Sequence, residues 1–153
     1  MSESTTPTDS PNKWVADHTR TYVESGGEEG HLWYGPDGSL AEGVPTLLLT
    51  TIGRRSGQPR RTALIYSQDG DDYLVVASKG GAQAHPLWYR NLVDNPEVEL
   101  QVKADAFKAT ARTATPQEKA RLWPKMVEVW PPYTDYQKRT DRDIPVVVLT
   151  SVS

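Results

Sequence analysis

One stretch, residues 45–81, constrains the fold of this chain more than any other. It begins with leucines at positions 47–49 between threonines, an apolar run that predicts a buried strand over residues 45–52. Glycine and proline then interrupt the strand, and four arginines fall within residues 53–61. A hairpin follows and leads into a second glycine turn at residues 77–81. The stretch therefore predicts a β-sheet domain with a basic turn at two of its strand ends.

Both turns carry groups that bind an anionic ligand. Glycines let backbone N–H groups approach closely, Ser56 and Ser78 offer hydroxyl groups, and the arginine and lysine side chains supply positive charge. For the first turn alone, a solvated basic hairpin turn is the alternative. A second basic turn at another strand end favours the ligand, so the sequence predicts an anion-binding site made from both turns.

Length and composition limit the classes of protein that fit. The 153 residues are enough for one domain with its own core. A net charge of −3 excludes the global positive field expected of a nucleic-acid-binding protein, so the basic turns are local features. The absence of cysteine excludes disulfides, thiolate metal sites and a cysteine nucleophile.

The N-terminal region predicts a disordered tail over residues 1–10, because these residues are polar and contain proline. A single domain is expected over residues 11–153, beginning with a helix whose apolar face carries Trp14 and Tyr22. We expect this face to pack on its own domain, with contact to a membrane surface as the alternative. The sequence has neither the features of a signal peptide nor a run as long as a membrane span, so we expect a cytoplasmic protein.

The rest of the chain alternates between strand and helix signals. Helices are predicted at residues 85–93 and 115–130, the second opened by the capping box Thr115-Pro116-Gln117-Glu118. Alternating polarity and turn signals predict six strands, at residues 45–52, 62–67, 72–78, 98–102, 107–112 and 144–150. Such a sheet hides its edges best by closing. The predicted fold class is therefore α+β, mainly β, with a small antiparallel barrel and flanking helices.

Aromatic residues after the last long helix favour a flat ligand. Trp130, Tyr133 and Tyr136 recur at three-residue spacing, which places them on one side of a helical turn, where they can form a wall for a conjugated ring. In the short helix before, Trp88 and Asn91 share a face. For Trp88, core packing is the alternative to ligand contact.

Motifs for protein-based chemistry are missing from the sequence. His18, His31 and His85 lack metal-ligand spacing, and we expect them to be surface or packing residues. The sequence contains no GxSxG elbow, no GxGxxG pattern and no P-loop. An anion site and an aromatic wall without a nucleophile predict a cofactor that carries its own chemistry and is held through phosphate or carboxylate groups.

Five segments, taken in order, resemble the deazaflavin-dependent nitroreductase family of actinobacterial split β-barrel oxidoreductases. They are residues 47–60, residues 76–81, residues 85–92 with 95–96, residues 130–133 with Tyr136, and residues 139–142 with 144–148. The resemblance implies an FMN-binding-like split β-barrel of about six antiparallel strands. It also implies coenzyme F420, a 5-deazaflavin with a phosphate and an oligoglutamate tail, as the cofactor.

The same resemblance implies which residues form the site. The residues that would bind the coenzyme are Arg54, Arg55, Ser56, Arg60, Arg61, Thr62, Ala63, Leu64, Val76, Ala77, Ser78, Lys79, Gly80, Trp88, Asn91 and Tyr133. The residues that would act in catalysis are Ser78, Trp130, Tyr133 and Tyr136. Of these, the aromatic residues would cover the acceptor, and Ser78 or Tyr133 would hydrogen-bond its developing anion.

The implied function is an F420H2-dependent reductase that transfers a hydride from the reduced deazaflavin to a quinone, an enone or a nitroaromatic compound. Nitroimidazole-activating members tend to carry tyrosine where this chain has Trp130, so nitro reduction is left open. Two alternatives are an FMN-dependent oxidoreductase on the same barrel and a non-catalytic deazaflavin carrier. Family members are also linked with the membrane through the N-terminal region, so peripheral membrane contact is a further expectation.

Overall fold

The computed structural model describes residues 8–9, 13–28, 31–33, 43–78 and 84–152, with side chains from residue 19 onward. The predicted disorder of residues 1–7, the side chains of Trp14 and His18, and the turn residues Lys79 and Gly80 lie outside this description. None of the helices in the described ranges is long and apolar enough to span a bilayer.

The described strands form one curled sheet, as predicted. They are β1 (Thr8–Asp9), β2 (Leu32–Trp33), β3 (Val44–Ile52), β4 (Pro59–Ile65), β5 (Ser67–Asp69), β6 (Asp72–Val76), β7 (Glu97–Val102), β8 (Asp105–Thr113) and β9 (Val146–Ser151). The strand order is β1-β4-β3-β7-β8-β9-β6-β5, with β2 on β3, and only the β1–β4 pair is parallel. The result is the curled antiparallel half-barrel expected of a split β-barrel.

The alternation of side chains along the strands separates two cores. In β6, Val75 belongs to a first core cluster that draws on the six long strands and on the helix after β6, so this cluster fills the curl of the sheet. Leu74 and Val76 point to the other face and belong to a second core cluster, where Leu122 and Met126 of the long helix cover the sheet. This opposite orientation is the alternation expected of a β-strand.

Four described helices flank the sheet, at α1 (Lys13–Ser25), α2 (Leu87–Asp94), α3 (Pro116–Val129) and α4 (Tyr133–Lys138). The capping box of α3 is confirmed, because the Thr115 hydroxyl accepts from the Glu118 N–H at 3.2 Å and the Glu118 carboxylate accepts from the Thr115 N–H at 3.0 Å. In α1, Tyr22 is fully buried, and its hydroxyl donates to the Thr46 carbonyl at 3.1 Å and accepts from the Lys103 N–H at 2.6 Å. This end of α1 therefore packs on its own domain.

Several strands differ from the expectation, among them β5, which was not one of the six predicted strands. Thr8–Asp9, within the predicted tail, pairs with β4, and Leu32–Trp33, outside the predicted strands, pairs with β3. Strand β4 begins at Pro59 rather than at residue 62, because its ladder with β3 continues to the base of the arginine turn. The short strands carry no alternation that a sequence could show, since they form by adding to an edge that a longer strand provides.

Candidate functional site

The arginine turn is a tight connection between β3 and β4. The Gly53 N–H donates to the Gln58 carbonyl and the Gly57 N–H donates to the Gly53 carbonyl, both at 2.8 Å. The φ angle of Gly57 is +70°, which favours glycine. A Cβ at Gly53 would lie 2.6 Å from the Ser56 hydroxyl oxygen, so the close approach of that hydroxyl also requires glycine. Ser56 accepts from the Gln58 N–H at 3.2 Å and braces the turn.

Three guanidinium groups of this turn stand in solvent. Arg54, Arg55 and Arg60 are exposed, and none has a side-chain hydrogen bond or ion pair with another residue in the described ranges. By contrast, the exposed Arg112 and Arg121 each meet a carboxylate through two hydrogen bonds of 2.7–3.1 Å. Arg112 and Arg121 thus have carboxylate partners, whereas the three turn arginines have no side-chain partner among the described residues and can bind an anionic ligand.

Strand register divides the β4 residues between two faces. Thr62 and Leu64 lie opposite Leu49 and Leu47, which belong to the first core cluster, whereas Ala63 lies opposite Leu48 and faces the other way. By the same register, Arg60 shares the face of Thr62, and Arg61 shares the face of Ala63. The implied coenzyme-binding run on β4 is therefore not one continuous surface.

Strands β4 and β6 lie next to each other without a ladder between them. These strands contact each other, yet the strand order places them near opposite ends of the sheet and no pairing joins them. Val76, Ala77 and Ser78, at the end of β6, are buried. Strand β5 pairs with β6 at residues 72–74 and β1 pairs with β4 at residues 60–61, so among the described strands the backbone edges left for a polar ligand are those at the ends of β4 and β6 nearest Ser78.

Asn91 of α2 fixes the arginine turn to the barrel. Its side-chain oxygen accepts from the Arg54 N–H and its amide group donates to the Thr51 hydroxyl, both at 3.1 Å. Asn91 is buried, as a bridging residue requires. Trp88 is half-buried and packs against the first core cluster, which matches the core-packing alternative for this side chain.

The residues predicted to form an aromatic wall lie close together and differ in exposure. The Trp130 ring N–H donates to the Tyr136 hydroxyl at 3.3 Å, and both side chains are half-buried. Trp33 of β2 extends the wall, with its ring 5.3 Å from that of Trp130. Tyr133 lies behind, 5% exposed, with its ring 5.9 Å from Tyr136, and burial raises the pKa of its phenol.

Two buried hydroxyl groups in this region have no hydrogen-bond partner among the residues that the structure describes. Ser78 is 9% exposed and Tyr133 is 5% exposed, and neither hydroxyl hydrogen-bonds another residue within the described part of the chain. A buried hydroxyl without a partner costs free energy, so such groups are usually satisfied by a ligand or by water. This observation fits a polar ligand beside the end of β6.

Arg142 is the residue of this region that sequence reasoning missed. Its guanidinium group donates to the Ala77 carbonyl at 3.2 Å and to the Ser78 carbonyl at 2.8 Å. It also lies 3.0 Å from Nδ1 of His85, which must be the acceptor because arginine only donates. Burial lowers the pKa of His85, and the positive charges of Arg142 and Arg90 lower it further. The only signal in the sequence was the position of Arg142 within a family-like segment.

The chain matches a family model and a known protein that carry the same description. The family model described as F420H(2)-dependent quinone reductase matches residues 14–151. An F420H(2)-dependent quinone reductase of Mycobacterium tuberculosis (strain ATCC 25618 / H37Rv) is 46% identical over 136 residues, covering 87% of each chain.

Solved structures point the same way. A structure described as an F420-H2 dependent reductase has a TM-score of 0.64 and 40% identity, covering 69% of this chain and 93% of that one. A chain described as a domain-swapped dimer has a TM-score of 0.66 and 37% identity, covering 92% of this chain and 99% of that one.

Proposed function

This chain belongs to the F420H(2)-dependent quinone reductase family, and we propose which of its residues perform that reaction. It is an oxidoreductase whose cofactor is coenzyme F420 and whose acceptor is a quinone. When bound, the reduced coenzyme supplies a hydride, and the hydride together with one proton converts the quinone to a hydroquinone.

The unpaired arginines are the observation that carries the assignment of the coenzyme site. Arg54, Arg55 and Arg60 would bind the phosphate and glutamate carboxylates of the coenzyme by charge-assisted hydrogen bonds, with Ser56 and Arg61 beside them. Because the turn is braced by its own hydrogen bonds and by Asn91, little backbone ordering is required on binding.

The polar part of the ring would lie at the end of β6. The hydroxyl groups of Ser78 and Tyr133 offer hydrogen bonds there, and the strand edge at Thr62–Leu64 lines the other side. Lys79 and Gly80 lie outside the described residues and stay predicted contacts of the coenzyme. In the reaction, either hydroxyl would stabilise the oxygen of the acceptor that gains negative charge.

Tyr136 and Trp130, with Trp33 beside them, would cover the acceptor and exclude water from the hydride path. Tyr133 would support this wall from behind. Enones and nitroaromatic compounds are further acceptors that the same wall could accommodate. Cytoplasmic location and contact of α1 with the inner face of the membrane remain predictions of the sequence.

A two-step experiment tests the proposal. Oxidised F420 is titrated into the protein and its fluorescence is followed, and reduced F420 is then mixed with menadione, with cyclohexenone and with a nitroimidazole in separate reactions. We expect saturable binding and oxidation of the coenzyme by menadione. Binding without turnover with any acceptor would favour a non-catalytic carrier, and absence of binding would overturn the coenzyme site.

Two variants locate the site in the same titration. Arg55→Ala should weaken binding, whereas Arg121→Ala should leave it unchanged, because Arg121 is an exposed arginine already paired with Asp69 at 3.0 Å. Equal affinities for the two variants would remove the arginine turn from the site.

A further inference from the structure

The end of β6 is held in place by a side chain from the opposite end of the sequence. Arg142 donates to two consecutive carbonyls, those of Ala77 and Ser78, at 3.2 and 2.8 Å. Both residues are buried and both follow the last paired residue of β6, Val76. The Ala77 N–H donates to the Pro145 carbonyl at 3.0 Å, and the guanidinium group binds the two carbonyls, so Arg142 adds a second restraint on this backbone beyond the β6–β9 ladder.

Arg142 is itself positioned by α4. The Gln137 side chain donates to the Arg142 carbonyl at 2.8 Å, and its oxygen accepts from the Ile144 N–H at 3.0 Å. Lys119 of α3 donates to the same oxygen at 3.1 Å. This series of hydrogen bonds joins the helix that carries Tyr136 to the backbone that carries Ser78.

We propose that Arg142 is a positioning residue for coenzyme binding, and that His85 makes its hold on the Ser78 backbone sensitive to pH. The inference rests on the proposed function, because Ser78 matters here as a coenzyme contact. Arg142 holds the backbone from which the Ser78 hydroxyl extends. His85 fixes the guanidinium group by accepting one of its N–H groups.

The direction of the pH effect follows from the role of His85 as a hydrogen-bond acceptor. Nδ1 of His85 accepts from Arg142 only when that nitrogen carries no proton. Protonation removes the acceptor and places two positive charges about 3.0 Å apart. The other groups facing His85 are Arg90, which adds positive charge, and the ring of Tyr89 at 4.8 Å. No facing carboxylate in the described ranges compensates, so coenzyme affinity should fall as the pH falls through the titration of His85.

The test measures the dissociation constant of oxidised F420 by fluorescence at about pH 8 and about pH 4.5, the lower value being chosen because burial and two positive charges lower the pKa of His85 below the ordinary histidine value. The variants are Arg142→Lys and His85→Asn, whose side-chain oxygen occupies the place of Nδ1 and does not titrate. Arg121→Lys is the matched control, because the Arg121 guanidinium group also makes two hydrogen bonds, in this case to the Asp69 carboxylate. Thermal unfolding midpoints are recorded for all variants.

We expect Arg142→Lys to weaken binding about tenfold at the higher pH, because lysine cannot bridge two carbonyls and the imidazole together. Arg121→Lys should bind like the parent. His85→Asn should match the parent at the higher pH and lose less affinity at the lower pH.

Three outcomes separate this inference from the proposed function. If the parent does not bind F420, both fail. If the parent binds and Arg142→Lys binds equally well, only the positioning role fails. If Arg142→Lys does not fold, the pH dependence of F420 binding by His85→Asn provides the test. A pH dependence that parallels that of the parent overturns the pH-sensitive hold.

Discussion

The side chain of Asn91 joins the arginine turn to α2, because its oxygen accepts from the Arg54 N–H at 3.1 Å. Its amide group donates to the Thr51 hydroxyl at the same distance, so a single buried residue ties the turn, the helix and β3 together. Each of the two bonds satisfies a polar group at the base of the turn. The conformation of the cationic loop thus depends on a residue 37 positions away in the sequence.

Replacing Asn91 should therefore affect both stability and binding. Asn91→Ala leaves the Arg54 N–H and the Thr51 hydroxyl without this partner, which we expect to lower the free energy of unfolding by about 1–3 kcal/mol. Coenzyme affinity should fall with it, because the turn loses its preferred conformation. Urea unfolding and the F420 titration measure the two effects.

Asn95→Ala is the control for that experiment, since Asn95 also bonds a backbone N–H, at 3.2 Å, but at the far end of α2. Asn91→Asp keeps the acceptor for Arg54 and should retain more affinity than Asn91→Ala. If Asn91→Ala binds the coenzyme as well as Asn95→Ala does, the turn does not need this anchor.

The arginine cluster should bind the coenzyme mainly through charge. Arg55→Ala and Arg60→Ala should each weaken binding about tenfold to a hundredfold, the equivalent of one or two charge-assisted hydrogen bonds. The affinity of the parent should fall as salt concentration rises, and each variant should show a shallower salt dependence. Salt dependence that is identical in the parent and both variants would argue against direct contact with the anionic groups.

Much of the fold could be predicted because its signals are local. The apolar run in β3, the turn glycines and the capping box at Thr115 each determine structure within a few residues. The short strands β1 and β2 could not be predicted in the same way, because two residues hold no periodic pattern. They depend on the free edges that β4 and β3 offer once the sheet has formed.

The residues of the candidate site could be proposed from the sequence, whereas their arrangement in space could be predicted only in part. The arginine cluster and the aromatic triplet are visible in the sequence, since their members are close neighbours. The bond from Arg142 to the Ser78 carbonyl spans 64 positions and depends on how the sheet curls. The burial of Tyr133 behind Tyr136 likewise depends on where α4 docks, which three-residue spacing alone does not determine.

The wall should act on the acceptor rather than on the coenzyme. Tyr136→Phe removes the hydroxyl that accepts from the Trp130 ring N–H at 3.3 Å, so the Trp130 ring loses its orientation. We expect the KM for menadione to rise about fivefold, with little change in the F420 dissociation constant. Steady-state kinetics and the F420 titration separate the two. Tyr89→Phe is the control, because Tyr89 also bonds through its hydroxyl, to Thr113 at 2.7 Å. If Tyr136→Phe raises the F420 dissociation constant as much as it raises the KM for menadione, Tyr136 acts on the coenzyme and not on the acceptor alone.

Acid should destabilise the fold through the start of α3. The Arg112 guanidinium group and the Thr115 N–H lower the pKa of Glu118 to about 2, while the carboxyl of an unfolded chain titrates near its ordinary value. Because the folded-state pKa is the lower one, the stabilisation is present above the ordinary glutamate pKa and is lost as the pH falls toward about 2. Glu118→Gln keeps a side-chain oxygen for the capping box but loses the charge. Urea midpoints measured from neutral pH downward should therefore fall less in Glu118→Gln than in the parent.

Glu128→Gln is the control, because Glu128 lies on the exposed side of the same helix, and its urea midpoints should follow those of the parent. A parallel decline in all three proteins would show that the Arg112–Glu118 pair contributes nothing to acid stability.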